Sequence, residues 1–282
     1  MQHLALRKSQ PFDLDHTLGC GQVFRWNRDE KGWTGVVGNE VIRVCQENRT
    51  LKWSGTDRES VERYFALDLD LPSVLSEIDR DPVIHRAVTA CRGLRIVRQE
   101  PWECLASYIC ATYSNIPRIR AQVEALATRF GEKIGTGPDG RMYFSFPPPD
   151  AFVSAESGKI GECRLGYRAP YLCETARAVA GDPGWVERIQ ALGTVQAGRE
   201  LMKFRGVGRK VADCVLLFAF GRYDAVPVDV WIRKIMEHHY PGTCSPGSYG
   251  RVRQAALDHF GRYAGYAQEY LFCMREELVN RE

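Results

Sequence analysis

Between Gly21 and about Gly55, apolar and polar residues alternate over short runs, VFRW, WTGVV, EVIRVCQ and TLKW, and the intervening NRDEKG, GN and ENR are turn formers. This pattern predicts an antiparallel meander. Helical spacing takes over at 57–68 and 72–91 and breaks near Gly93; at Pro101-Trp102-Glu103 the proline suits a first helical turn. The rest reads as helical almost throughout. The exception is 131–150, whose four glycines and three consecutive prolines predict a long loop between helical subdomains. The predicted fold is therefore α+β: an N-terminal antiparallel sheet domain with helices over 1–95, then a mostly α-helical core of two subdomains over 96–282, with a helical hairpin at about 201–220.

Composition narrows the function only by exclusion. With 282 residues, 44% of them hydrophobic, the chain can bury more than one packed unit. A net charge of +3 announces no nucleic-acid partner, so such a partner has to be argued from local clusters and motifs. Ten cysteines spread from Cys20 to Cys273 contain no C-x-x-C pair and read as reduced thiols. The six histidines form no ligating pattern, so neither a metal nor another cofactor is expected. The longest apolar run, Cys214 to Phe220, is too short to cross a bilayer, and no secretory leader is read at the N-terminus. An intracellular protein is expected, cytoplasmic or at the nucleoid, and nuclear if the source is a eukaryote.

The most informative stretch is Leu201 to Trp231, LMKFRGVGRKVADCVLLFAFGRYDAVPVDVW. A helix ending at Phe204, a tight turn at Gly206-Val207-Gly208 and a second helix from about Arg209 make a helix-hairpin-helix pattern. Glycines leave the turn's amides uncovered at a helix N-terminus, where they can hold a DNA phosphate without reading sequence. Lys203, Arg205, Arg209 and Lys210 surround that turn. Taken alone, G-x-G is an ordinary turn with a solvated basic face, Lys210 a surface lysine, and Asp229 a helix cap after Pro227.

Together, GVGRKVADC and VPVDV resemble the lysine-and-aspartate signature of the helix-hairpin-helix glycosylases, and in particular the 8-oxoguanine DNA glycosylases with lyase activity. The resemblance implies that Asp229 stabilises positive charge on the sugar, and that a neutral Lys210 amine attacks C1′ to give a Schiff base and β-elimination. An ordinary lysine titrates near ~10.4, so attack at neutral pH calls for burial or a positive field at the helix N-terminus. GQVFRW, LRIVRQEPWECLASYIC, LGYRAPY and AGYAQEYLF also resemble family segments. By that resemblance the Gly21 carbonyl accepts N7–H of the lesion, a proton that guanine lacks. Cys214, Pro227, Gln268 and Phe272 form the rest of the base pocket, with Gln268 reading the Watson–Crick edge and Phe272 stacking on the ring. Gly206, Val207, Gly208, Arg118, Tyr113, Asn115, Tyr167 and Arg168 meet DNA, the last two at the gap left by the flipped base. Tyr167 and Phe272 also have plain readings as core aromatics.

Two positions depart from the family pattern: Tyr113-Ser114-Asn115 replaces an asparagine run, and Trp231 replaces a histidine. The implied partner is duplex DNA containing 8-oxoguanine, met by a monomer, with no membrane. A monofunctional glycosylase for alkylated bases normally lacks the lysine. An endonuclease-III-like enzyme often carries four clustered C-terminal cysteines, and only Cys244 and Cys273 follow the hairpin here. A non-catalytic DNA-binding module using the hairpin as a phosphate clamp remains the reading from a different class.

Overall fold

The computed structural model describes residues 1–155, 157–241 and 248–280; Cys244 lies outside them. Strand β1 (Gln2–Ala5) and helix α1 (Leu14–Gly19) precede β2 (Trp26–Asp29), β3 (Gly32–Val37), β4 (Glu40–Glu47) and β5 (Thr50–Ser54). The strands form one antiparallel sheet in the order β1-β5-β4-β3-β2. In β5 the period of two is plain: Leu51 and Trp53 are buried while Lys52 points outward. Trp53 stands opposite Val44, and Trp26 donates its indole N–H to Tyr64 Oη at 2.8 Å. The predicted meander is present, with one added strand and one shifted along the chain. Strand β1 is largely exposed and carries no apolar run, so its sequence gave no signal. Val23–Arg25 lie outside the sheet, and β2 begins only at Trp26.

Helices α2 (Arg58–Tyr64), α3 (Leu71–Ile78) and α4 (Pro82–Ala90) follow. The single pattern at 72–91 is two helices. Asp81 accepts the amides of Val83 and Ile84, and Pro82 fills the first position of the new helix, so the chain restarts there. Next come α5 (Pro101–Cys110), α6 (Ile116–Phe130), β6 (Lys133–Thr136), β7 (Met142–Phe144), α7 (Pro149–Ser154) and α8 (Ser157–Ile160). The predicted loop at 131–150 thus contains a two-stranded hairpin, whose one buried strand residue, Tyr143, is too little to set a pattern. The remaining helices are α9 (Arg168–Ala180), α10 (Trp185–Ala191), α11 (Thr194–Leu201), α12 (Arg209–Phe218), α13 (Val230–His239), α14 (Tyr249–Phe260), α15 (Ala264–Cys273) and α16 (Arg275–Asn280).

Two cores result. One lies under the sheet and joins Trp26, Trp33, Trp53 and Phe65; the larger one joins the helices. Helices α3 and α4 belong to the larger core through Leu71, Ile78 and Ile84, as does Phe24, while Val97 packs in the smaller one, so the two cores interleave along the chain. One expectation is corrected: Cys91 and Cys273 are joined as a disulfide across 182 residues of sequence, with Cα atoms 6.8 Å apart. Chain folding places the end of α4 beside the end of α15, a proximity that cysteine spacing does not encode. Cys20, Cys45, Cys104, Cys110, Cys163, Cys173 and Cys214 are free thiols.

Candidate active site

The hairpin turn is built by its glycines. Gly206 has φ +81°, and a Cβ there would stand 2.7 Å from Tyr171 Cβ, so only glycine fits without a shift. Gly208 caps α12 with no side-chain capping bond, and a Cβ on it would meet open space. Its exposed position leaves the first amides of a ten-residue helix facing outward, the arrangement that receives a phosphate. Val207 between them is buried and anchors the turn. The first arm of the hairpin, α11, ends at Leu201, three residues before the position read from the sequence.

Lys210 and Asp229 open into one cleft of about 750 Å³. Its walls also carry Gly21, Cys214, Pro227, Gln268 and Phe272, so every predicted base-pocket residue meets the catalytic candidates there. Lys210 stands half-buried on the first turn of α12, its Nζ 5.1 Å from the centroid of the Tyr108 ring. Tyr108 is itself stacked on Phe218 at 5.5 Å, and its hydroxyl donates to the Gln22 carbonyl at 3.2 Å. Burial pushes the Cys214 thiol up to about 12, despite the Lys210 charge that pulls it down. It is therefore a neutral, apolar wall at physiological pH.

Asp229 is the N-cap of α13, and one oxygen, Oδ1, accepts the amides of Trp231 at 3.0 Å and Ile232 at 2.9 Å. Oδ2 takes neither. The plain capping reading and a place in the cleft therefore hold together, since one carboxylate oxygen fixes the orientation of the other. The segment before it is clamped as well. Tyr249 Oη receives the Val228 amide at 3.3 Å and donates to Asp213 Oδ2 at 2.6 Å, and Arg253 Nε donates to the same oxygen at 3.1 Å. Burial raises the Asp213 carboxyl above its usual range, outweighing the opposing Arg253 charge. Neither Asp213 nor Tyr249 was marked by the sequence.

Gly21 has φ +114°, and a Cβ would stand 2.6 Å from Ile116 Cδ1 and 3.5 Å from the Phe272 ring. Any side chain here would close the gap between the entry segment and α15. Gln268 is 6% exposed with its Oε1 buried and unpartnered, so it points a free acceptor into a largely apolar enclosure. Phe272 is half-buried, with the Arg275 guanidinium 4.3 Å from its centroid. One more group was missed. Glu269, next to Gln268, is 2% exposed and lines the same cleft. A lone carboxylate inside AGYAQEYLFC was the available signal, because an apolar helix rarely spends a position on a buried charge.

At the mouth, Tyr113 is 92% exposed with φ +49°, a left-handed conformation unusual for a tyrosine. It is not a core residue. Asn115 caps α6 by accepting the Arg118 amide, and Arg118 is exposed. Tyr167 is half-exposed, which removes its plain reading as a core tyrosine. Arg168, by contrast, is only 3% exposed. Its guanidinium donates to the carbonyls of Thr112, Leu165 and Tyr113 at 2.6, 3.1 and 2.9 Å. It is turned inward here, holding the Tyr113 loop. Among the described residues, no cluster of His, Cys, Asp and Glu is placed to hold a metal ion, and no helix is long and apolar enough to cross a membrane.

Comparison with known proteins agrees with this geometry. The profile of the 8-oxoguanine DNA glycosylase N-terminal domain matches residues 4–105. An N-glycosylase/DNA lyase of Saccharomyces cerevisiae is 32% identical, covering 95% of this chain and 84% of that protein. The structure of MBOgg1 in complex with a low affinity DNA ligand superposes with a TM-score of 0.90 at 35% identity, covering 98% of this chain and 99% of that one. The Clostridium acetobutylicum 8-oxoguanine glycosylase/lyase, in complex with duplex DNA containing cytosine opposite 8-oxoG, gives a TM-score of 0.88 at 32% identity, covering 94% and 92%. The chain therefore belongs to the family of 8-oxoguanine DNA glycosylases with N-glycosylase and DNA lyase activity.

Proposed function

We propose that this protein removes 8-oxoguanine from duplex DNA and then cleaves the strand, with Lys210 as the attacking amine and Asp229 as the charge-stabilising carboxylate. The observation that carries this reading is the shared cleft, in which Lys210 and Asp229 meet a wall formed by Gly21, Gln268 and Phe272. Its volume of about 750 Å³ suits an extruded nucleobase with part of its sugar. The base enters between Phe272 and Cys214, Gln268 meets its Watson–Crick edge, and the Gly21 carbonyl accepts N7–H. Guanine would bring a lone pair to that carbonyl, leaving a buried acceptor against an acceptor.

As the glycosidic bond breaks, its electron pair leaves with the base, and the sugar gains positive character opposite Asp229. The neutral Lys210 amine forms a bond to C1′, and loss of a proton and ring opening give the Schiff base. That cation acidifies the neighbouring C2′ proton, whose removal expels the 3′ phosphate by β-elimination. Outside the cleft, the Gly206–Gly208 turn holds a backbone phosphate, Tyr167 fills the gap in the stack, and Arg118 and Asn115 approach the opposite strand. The protein acts on DNA inside the cell, and we place it with the genome, at the nucleoid or in the nucleus.

Borohydride trapping on an 8-oxoguanine duplex tests the assignment, because hydride fixes the Schiff base as a stable amine. Wild-type protein gives a covalent adduct and Lys210→Gln gives none, with DNA affinity little altered, since one charge among several phosphate contacts is a modest loss. Undiminished trapping by Lys210→Gln overturns the assignment.

A further inference from the structure

Glu269 has no structural work in proportion to its cost. It lies on α15 and is 2% exposed; the Cys20 thiol hydrogen-bonds to its carboxyl, but its Oε1 is buried with no hydrogen-bond partner. A buried carboxyl with one oxygen left unsatisfied opposes folding, and a leucine or glutamine would fill the same space more cheaply. Arg275 does not pair with it: it lies over the Phe272 ring and donates to the Phe272 and Cys20 carbonyls. The groups around Glu269 come from five elements. They are the Cys20 thiol after α1, Tyr108 on α5, Lys210 on α12, Asp229 at the cap of α13, and Arg275 on α16.

Lys210 enters the chemistry as an amine, so its ammonium proton needs an acceptor. Asp229 is poorly suited, because one oxygen is committed to two amides and the reaction requires its negative charge opposite the sugar. Glu269 lines the same cleft and feels the charges of both Lys210 and Asp229. We propose that Glu269 is the base that takes the proton from the Lys210 ammonium through water in the cleft they share, since the two side chains make no direct ion pair. The carboxylate becomes a carboxylic acid and the ammonium becomes the neutral amine that attacks C1′. The proton stays on Glu269 until product release opens the cleft to water. Glu269 acts through Lys210 and is a positioning and proton-holding residue of the lyase chemistry.

Its environment suits that task. Burial pushes the carboxyl up, with the Asp229 charge adding to it, while the Cys20 thiol and the Arg275 and Lys210 charges oppose, leaving it at about 7. A base near the working pH combines available carboxylate with useful proton affinity. The carboxylate is the active form, so the rate falls as pH drops through about 7.

The test uses a duplex carrying a preformed abasic site, so that no departing base can supply or take a proton. Trapping by wild-type protein rises with pH and levels above neutrality. In Glu269→Gln the inflection disappears, the rate at neutral pH drops on the order of 10²-fold, and the deficit shrinks at high pH as hydroxide replaces the missing base. Glu269→Asp restores an inflection, and abasic-DNA affinity is unchanged in both variants. A Glu269→Gln profile that overlays wild type overturns the proposal. Infrared difference spectra provide a second reading: the band of buried protonated carboxyls titrating near neutrality loses the Glu269 share in Glu269→Gln while the Glu103 share stays, and identical spectra for the two proteins also overturn the proposal. The inference rests on Lys210 as the nucleophile. Trapping that persists in Lys210→Gln removes that reading, whereas trapping abolished there with a wild-type profile in Glu269→Gln removes this inference alone.

Discussion

Tyr249 donates to Asp213 Oδ2 at 2.6 Å and receives the Val228 amide at 3.3 Å, so one hydroxyl ties α12, which carries Lys210, to the strand of chain ending in Asp229. The two side chains proposed to carry the chemistry come from different elements, and this hydroxyl is a direct link between those elements. Tyr249→Phe removes both bonds, together with a contact from the hydroxyl to the Val226 carbonyl at 3.3 Å, while keeping the ring. It leaves the buried Asp213 carboxyl with Arg253 alone, at a cost of about 1–3 kcal/mol measured by urea denaturation. Excision slows more than DNA binding weakens, because the phosphate contacts are elsewhere. A variant with unchanged stability and unchanged single-turnover excision would show the clamp to be idle.

Asp229→Asn separates capping from catalysis. The asparagine oxygen still accepts the Trp231 and Ile232 amides, so stability changes by less than about 1 kcal/mol. The negative charge opposite the sugar is lost, and base excision falls about 10²–10³-fold. Near wild-type excision by the folded variant would reduce Asp229 to a helix cap.

Arg168→Met is expected to act on stability first. Three carbonyls lose their donor, and those of Thr112 and Tyr113 belong to the loop at the mouth of the cleft. The denaturation midpoint should drop by the equivalent of about 1–3 kcal/mol. Lysine recovers part of this at best, since an ammonium cannot reproduce the planar fork. An unshifted midpoint with a selective loss of cytosine preference would mean that Arg168 turns outward to DNA instead.

The contrast between Arg168 and Lys210 shows what the sequence could carry. That Lys210 and Asp229 would share a cleft was legible because their context is local: a glycine turn before one, a proline before the other, and a fixed spacing between them. The N-terminal meander was legible for the same reason, as alternation with turn residues at its breaks. The inward direction of Arg168 depends on the Thr112 carbonyl, 56 residues earlier, and the Tyr249 clamp reaches back 36 residues to Asp213. Such contacts follow from helix packing and have no local signature. Cys91 and Cys273 illustrate the same limit, and so does Glu269, whose carboxyl meets the Cys20 thiol from the other end of the chain.

Tyr113 governs the last expectation, the choice of base opposite the lesion. Its ring is 92% exposed at the cleft mouth, and its left-handed backbone, φ +49°, is held by the bond from Arg168 to its carbonyl. A non-glycine residue in that conformation costs on the order of 1–3 kcal/mol, so the loop presents the ring at the expense of stability. An aromatic face stacks on any orphaned base and supports binding without choosing among them. Discrimination needs donors and acceptors against the Watson–Crick edge, and each good contact is worth ~1–3 kcal/mol. With Arg168 committed inward, Arg118 is the remaining exposed arginine of the two assigned to that strand. A modest preference for cytosine should therefore remain, resting on Arg118, with all four 8-oxoguanine duplexes processed. Arg118→Ala flattens the preference, whereas Tyr113→Ala weakens binding to all four by a similar ~1–3 kcal/mol and leaves their order intact. Single-turnover excision and titration on the four duplexes measure both effects. Strict cytosine dependence that survives Tyr113→Ala unchanged would show that other groups read the opposite strand and that the exposed ring does not set the choice.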